Sequence, residues 1–467
     1  MNHHSGAPIK TGAFRVFPDQ AYQQITDFGA SACWWATGMG HMEQVDQYLD
    51  VLYGEKGLGL NVLRINVGGS VKADLSDTCT HGGLHRCPPS PLDEAGNFDV
   101  KRDAGNWRVA EKAAQLSAIT DFTIFMNSPP TTMTKNGKTF SERPAEEGQF
   151  VSNLREDCYE AYAKYVVDCV EGYIENGVPV TYVSPINEPQ WQWDDRNHQE
   201  GCHYTPEEVV RMCRLVIREL NARAASNPRL AGVKLSMPET AQWYQRPYVH
   251  DMYRLMCQDP EIAPHVDHFA AHSYGTSKQQ KIDTRAYFDS LGIDIPLHQT
   301  EWAPLHCDFV DNMDFALEMG HVMCEDFAIL HTRHWTWWLG VSGFGWPDGI
   351  ICVNKETGGD LALPKRYFTM LHHTRFIKGL YNVRMDMEDL PEKVTGAAYA
   401  SEDKTELVLI LVNSETTPQK VTFEGIPAKA ARVFETSQLL DCLYLGDQDV
   451  SEGYILPPRS ITNLVFK

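Results

Sequence analysis

Positive charge is in short supply. Lys and Arg number 41 against 62 Asp and Glu, a formal balance of −21. A surface that negative repels phosphate backbones and anionic lipid, so neither nucleic acid nor a membrane surface is expected as a partner. No stretch approaches 18 consecutive apolar residues, the length a bilayer-spanning helix needs. Met1 to Lys10 lacks the apolar core of a secretory signal. The expectation is a cytoplasmic chain, or a secreted one from which a signal has been removed. No C-x-x-C half-site occurs among the 12 scattered cysteines, which read as buried, reduced thiols. Cys79, His81, His85 and Cys87 have zinc-type side chains, but their compressed spacing reads as a His- and Cys-rich loop. Flexible linkers, low-complexity segments and long repeats are also missing.

What is present is a rhythm of strand and helix from residue 26 to 378. Eight β-prone runs bounded by Gly, Pro or Asn are expected at Asp27–Cys33, Asn61–Val67, Phe122–Asn127, Thr181–Ile186, Val233–Pro238, His268–Ser273, Pro296–Thr300 and His334–Trp338. Helical spacing is clearest in Trp107–Thr120, Asn153–Asn176, Pro206–Ala225 and Asp311–Leu330. In Pro206–Ala225 the apolar Val209, Val210, Met212, Leu215, Val216 and Leu220 recur at three- and four-residue steps, and Thr205-Pro206 is a helix start. Eight such units imply an α/β fold, a (β/α)₈ TIM barrel. The rival, a doubly wound sheet, calls for a Gly-rich phosphate turn after its first strand; here Cys33-Trp34-Trp35 stands in that place. Past about Leu380 the helical period gives way to short strands, at Val394–Ala400, Glu406–Val412, Lys420–Phe423, Ala431–Glu435 and Ile461–Phe466. The N-terminal run Ala13–Phe17 has no place in the barrel. Residues 8–25 and 379–467 are therefore expected to form a docked side β-sandwich from both termini.

Chemistry in a barrel sits at the C-terminal ends of the strands. Those ends carry Arg64 and Asn66, Asn127, Asn187-Glu188-Pro189, Glu239, His272 and Tyr274, Glu301-Trp302, and Trp335, Trp337 and Trp338. The set lacks a His/Asp metal cage and a phosphate loop, so no metal or cofactor is expected. Glu188 and Glu301 would face each other across the barrel mouth, as glycoside hydrolysis requires of its two carboxyl groups. A charge that closes an apolar strand is costly unless used or paired. Glu239 has the same setting and is taken as the main decoy. Arg64 would hold Glu301 ionised, and the negative Glu301 would keep Glu188 protonated as the acid. His272 reads as an orienting group rather than a proton shuttle. Cys33 and Cys307 read as inert packing. Indoles at Trp34, Trp35, Trp193 and Trp338 offer faces on which sugar rings stack.

These windows carry a likeness. Phe28-Gly29-Ala30-Ser31, Asn61-Val62-Leu63-Arg64, Ser128-Pro129-Pro130, Ser184-Pro185-Ile186-Asn187-Glu188-Pro189, His272-Ser273-Tyr274, Thr300-Glu301-Trp302 and Leu456-Pro457-Pro458-Arg459-Ser460-Ile461 resemble glycoside hydrolase family 30 over nearly the whole chain. The resemblance implies a retaining enzyme with Glu188 as general acid/base and Glu301 as nucleophile. It further implies Asn187 at the 2-hydroxyl, Arg64 and Tyr274 positioning Glu301, and Trp338 lining the glycone site; Asn127, at its strand end, is counted among the candidate substrate contacts on position. Glu188-Pro189-Gln190-Trp191-Gln192-Trp193 with Gln199-Glu200-Gly201-Cys202 looks most like the endo-β-1,6-galactanase branch. Two departures stand out: Thr131-Thr132-Met133 follows Ser-Pro-Pro where the family often has an aromatic, and Trp34-Trp35 replaces the Asp of glucosylceramidase-like members.

The function expected is hydrolysis of β-galactosidic, foremost β-1,6-linked, oligosaccharides or galactan by double displacement. The alternatives are an exo-acting β-glucosidase, β-xylosidase, β-fucosidase or glucosylceramidase-like enzyme of the same fold, and, from another class, a non-catalytic carbohydrate-binding protein. Oligomeric state is left open.

Overall fold

The structure is a computed structural model that describes residues 11–78, 86, 88–146, 148–306, 312–426 and 428–467. Cys79, His81, His85, Cys87 and Cys307 lie outside the described residues, as do positions 1–10. Two units emerge, Asp27–Leu305 with His334–Ala362, and Met1–Thr26 with His306–Arg333 and Leu363–Lys467.

The first unit is built on eight parallel strands. They are Asp27–Ser31, Val62–Val67, Asp121–Met126, Tyr182–Ser184, a fifth in two pieces (Lys234–Leu235 and Pro238–Thr240), Phe269–Ala271, Leu297–Gln299 and Thr332–Gly343. Lys234–Leu235 pairs with the fourth strand and Pro238–Thr240 with the sixth, while the first pairs with the eighth, so the sheet closes on itself. This is the expected (β/α)₈ barrel. Every residue of Val62–Val67 and Asp121–Met126 is buried, the signature of a parallel strand covered on both faces. Those strands aim alternate side chains into the barrel and carry Arg64 and Asn127 to its mouth.

The helix Pro206–Ala224 forms where its periodicity placed it. Thr205 caps the Glu208 N–H, Glu208 accepts from the Thr205 N–H at 2.7 Å, and Pro206 holds the first turn. Two other helices start elsewhere than expected. Asp103 takes the Asn106 N–H at 3.0 Å, so that helix runs Ala104–Ala113, not Trp107–Thr120. The long helix runs Tyr159–Glu175. The Asn153 amide donates to Asn136, Lys138 and Phe140, which ties the expected first turn into a loop instead.

The second unit carries a nine-stranded sheet. Its N-terminal strand Thr11–Gln24 pairs antiparallel with Tyr381–Glu388 and parallel with Gln419–Glu424, so the two termini do share one β module. Strands Val394–Ala400, Leu407–Asn413 and Ser460–Phe466 are buried at every position. Helices Asn312–Glu325 and Lys365–Thr374 cover this part of the sheet, and Phe14, Val16, Leu409, Leu411, Val433 and Leu464 join in one core cluster. Each fully buried Leu or Val there contributes about 1.5–3 kcal/mol. The strands Tyr381–Glu388, Leu443–Asp449 and Tyr454–Leu456 had no clear alternation in the sequence.

Candidate active site

Three residues other than glycine bend the chain at the barrel mouth. Trp34, Glu188 and Glu239 have φ of 63°, 46° and 55°, a left-handed backbone that costs on the order of 1–3 kcal/mol each and persists where the surroundings hold it. Trp34 and Glu188 follow the first and fourth strands, and Glu239 sits within the second piece of the fifth. The Glu188 N–H donates to the Glu239 carbonyl at 2.8 Å, and Trp193 Nε1 donates to the Glu188 carbonyl at 3.1 Å. Glu188 is thus clamped by its backbone on both sides.

The side chains then converge. Arg64, buried and lying over the Phe125 ring, donates from Nη1 to Glu301 Oε2 at 2.7 Å. Its Nη2 reaches Asn187 Oδ1 at 3.3 Å and lies 3.5 Å from Glu239 Oε2. Tyr274 donates its hydroxyl to Glu301 Oε1 at 3.0 Å. Asn187 Nδ2 donates to Asn127 Oδ1 at 3.1 Å. His272 bridges Glu188 Oε1 through Nδ1 at 2.9 Å and Glu239 Oε2 through Nε2 at 3.0 Å. Glu188, His272 and Glu301 each present an atom within 4.8 Å of the others.

Electrostatics separate Glu188 from Glu239. Burial pushes the Glu188 carboxyl above its ordinary range; the His272 bond pulls the other way, and Glu301 adds a smaller upward push. The sequence had assigned that rise to Glu301 alone, whereas loss of water is the larger cause. Burial also opposes ionisation of Glu239, but Arg64 and His272 hold it down at about 2. His272 is opposed by burial as well, yet Glu301, Glu188 and Glu239 raise it to about 9. A doubly protonated imidazole has no lone pair for a metal, and Arg64 occupies Glu301, so this trio fits an ion-pair network better than a metal cage.

The aromatic side chains divide by task. Trp34 and Trp338 meet edge to face, centroids 5.3 Å apart. Trp34 and Trp35 line a cavity of about 570 Å³ together with Arg86, Trp346, Asp348 and Lys355. Trp34 Nε1 and Asn127 Nδ2 are buried without a protein partner, each a donor left over for a bound hydroxyl. Trp35 spends its N–H on the Ser31 carbonyl and packs against Tyr48. Trp193 supports the Glu188 backbone. Burial drives the Cys33 thiol far up, and it stays inert.

So the structure brings Arg64, Asn127, Asn187, Glu188, His272, Tyr274 and Glu301 into one hydrogen-bonded set. Glu239, set aside as a decoy, proves to belong to it. Its membership was hidden because Glu239 meets His272 only when the fifth and sixth strands pair. Arg86, Trp346, Asp348 and Lys355 were also missed; no local pattern marks loop residues that meet around a cavity. Glu200 is a further buried carboxyl, accepting the Gly69 N–H at 3.3 Å.

The family model of O-glycosyl hydrolase family 30 matches residues 11–251. A glucuronoxylanase, XynC, of Bacillus subtilis is 26% identical over 384 residues, 79% of each chain. Among solved structures, a conserved exported protein from Bacteroides fragilis superposes with a TM-score of 0.80 at 20% identity, covering 97% of this chain and all of that one. The endo-β-1,6-glucanase BT3312 gives 0.67 at 16% identity, covering 100% and 95%. The last two likenesses speak to fold.

Proposed function

This chain belongs to O-glycosyl hydrolase family 30, and from that footing we propose that it is a retaining β-glycosidase that hydrolyses β-galactosidic, foremost β-1,6-linked, substrates. The observation that carries the reading is the approach of the two carboxyl groups. One oxygen of Glu188 and one of Glu301 lie within 4.8 Å of each other, a nearest-atom approach that fits the roughly 5–5.5 Å group spacing of retaining pairs better than the roughly 6.5–9.5 Å that admits a water for inversion.

In the first step a Glu301 oxygen attacks the anomeric carbon and the glycosidic C–O bond breaks. Glu188 gives its proton to the departing oxygen. Arg64 and Tyr274 hold both Glu301 oxygens in place for that attack. The ester that forms carries no charge on Glu301. Its upward push on Glu188 is then gone, so Glu188 becomes the stronger acid in the intermediate and serves as base for the second step. There Glu188 takes a proton from water, the hydroxyl adds to the anomeric carbon, and the bond to Glu301 breaks. Asn187, steered by Arg64 and Asn127, stands beside Glu188 to meet the 2-hydroxyl.

For the sugar, the support is Trp34, an indole where a carboxylate would grip equatorial hydroxyls. Its face suits galactose, whose axial O4 leaves one apolar side. The test is a panel of β-galactoside, β-glucoside, β-xyloside and β-fucoside, with β-1,6-galacto-oligosaccharides, β-1,6-glucan and xylan alongside, and NMR of the first anomer released. Galactosidic turnover with a β product is expected. Preference for xylan or β-1,6-glucan would reassign the sugar, and an α product would remove Glu301 as nucleophile.

A further inference from the structure

Glu239 takes no part in the two displacements, yet it is the most tightly held carboxylate of the cluster. It is fully buried. Ser236 donates to Oε1 at 2.7 Å; His272 Nε2 and the Thr300 hydroxyl both donate to Oε2. Arg64 flanks the same oxygen at 3.5 Å. His334 stands within electrostatic reach on the eighth strand. Around the His272 ring lie Glu188, Glu239, Glu301 at 3.7 Å, and the Tyr274 ring. With Glu188 protonated, two cations (Arg64 and His272) face two anions (Glu239 and Glu301), and the buried cluster is neutral. Take Glu239 away and two cations face one anion, Glu301, at 3.7 Å from His272.

We propose that Glu239 is a positioning residue for the acid step: it keeps both nitrogens of His272 as donors, so that Nδ1–H fills Glu188 Oε1 and confines the acid proton to Oε2. A neutral imidazole has one lone pair. Were that lone pair on Nδ1, it would take the Glu188 proton as its own hydrogen bond and turn it away from the glycosidic oxygen. Glu301 leads the upward drive on His272 and Arg64 the downward drive on Glu239, and the hydrogen bond between His272 and Glu239 adds to both. This inference rests on Glu188 being the acid.

Glu239→Gln keeps the shape and removes the charge. Losing a negative charge makes the protons of the Glu188–His272 pair easier to release. The basic limb of the kcat/KM profile is therefore expected to move to lower pH by about one unit. Glycosides with poor leaving groups should lose about 100-fold in kcat/KM, the scale of general acid catalysis, and dinitrophenyl glycosides, which leave without a proton, at least about tenfold less. Glu239→Asp, which restores the charge, should return the limb. An unmoved limb with equal losses on both substrate classes would reduce Glu239 to packing and overturn the proposal. A second measurement needs no folded variant at Glu239. In wild-type protein carrying nitrogen-15 histidine, the signal that disappears in His272→Gln should show both ring nitrogens protonated at neutral pH; a neutral ring there overturns the proposal too. Glu188→Ala tells the two readings apart. If that variant is indifferent to the leaving group and forms no β-glycosyl azide with added azide, the assignment of the acid itself fails, whatever Glu239→Gln does.

Discussion

His272 and His334 are both fully buried in one barrel, the first at the C-terminal ends of the strands and the second near the N-terminal ends, and their imidazoles are driven in opposite directions. Loss of water disfavours charge on both. At the mouth, Glu301 at 3.7 Å and the carboxyl groups of Glu188 and Glu239 at 2.9 and 3.0 Å outweigh that cost and raise His272 to about 9. At the other end His334 stacks on His298 at 4.6 Å, His298 stacks on His268 at 3.9 Å, and burial lowers His334 to about 4. His334 bonds a hydroxyl, that of Thr336, at 2.7 Å. The difference teaches that depth alone does not set the state of a buried group. A fixed partner does: His272 has carboxyl groups at both ring nitrogens, and His334 has a hydroxyl.

The sharpest way to break this comparison is to take a carboxylate from the mouth. Glu301→Ala is expected to lose about 10⁴-fold or more in kcat, because the step it performs has no substitute. Added azide should restore turnover on an activated glycoside and give the α-glycosyl azide, since it enters from the face Glu301 has vacated. A β-azide, or activity near wild type, would put the nucleophile elsewhere.

Removing the cation is expected to come next. Arg64→Met leaves Glu239 and Glu301 without the guanidinium that lies 3.5 and 2.7 Å away. Breaking a buried pair from one side costs about 3–5 kcal/mol, so a fall of that order in urea-melt stability should accompany the loss of activity. An unchanged melt would mean that water already reaches this network.

Much of that network was legible in the sequence, and for one reason. Glu188, Glu301 and His272 each come just after a short strand and Arg64 sits inside one, and a charge in that setting is either used or paired. The barrel was legible because Val62–Val67 and its fellows are β-prone runs bounded by Gly, Pro or Asn that alternate with stretches of helical spacing. Partnership across strands was not legible. That Glu239 belongs with His272, or that His268, His298 and His334 form a stack, depends on strand pairing that no local pattern encodes. Helix starts slipped where a side chain outcompeted periodicity, as Asp103 and Asn153 do. The strand Leu443–Asp449 was invisible because most of its residues are exposed or half-buried, with no apolar alternation.

The mouth and the stack should also part company under alkali. His272, raised to about 9 from 6.5, contributes stability that is complete below 6.5 and is lost as pH rises through 9. His272→Gln should therefore flatten the fall in stability over that window while lowering stability at neutral pH, where Glu188 and Glu239 lose a donor. Parallel wild-type and variant curves between pH 6.5 and 9 would mean that His272 is not charged in the folded protein.

The smallest effect on activity belongs to the far end of the barrel, where the effect of pH on stability has the opposite sign. His334 is lowered from 6.5 to about 4. Between those values the unfolded chain takes up a proton that the folded one refuses, so stability is present above 6.5 and drains away as pH falls toward 4. A gap of that size is worth on the order of 3 kcal/mol across the window. His334→Leu should flatten that part of the stability curve by about one proton's worth of slope. It should not abolish the acid-side loss, because His372 and His373 in the β unit, lowered by burial to about 3 and 4, add their own. At neutral pH the variant should be somewhat less stable, having lost the bond to Thr336, and its kcat should stay close to wild type because His334 touches no carboxyl oxygen of the mouth. Urea melts at stepped pH decide it. If the curves run parallel from 6.5 down to 4, the stack carries charge after all, and the contrast with His272 falls.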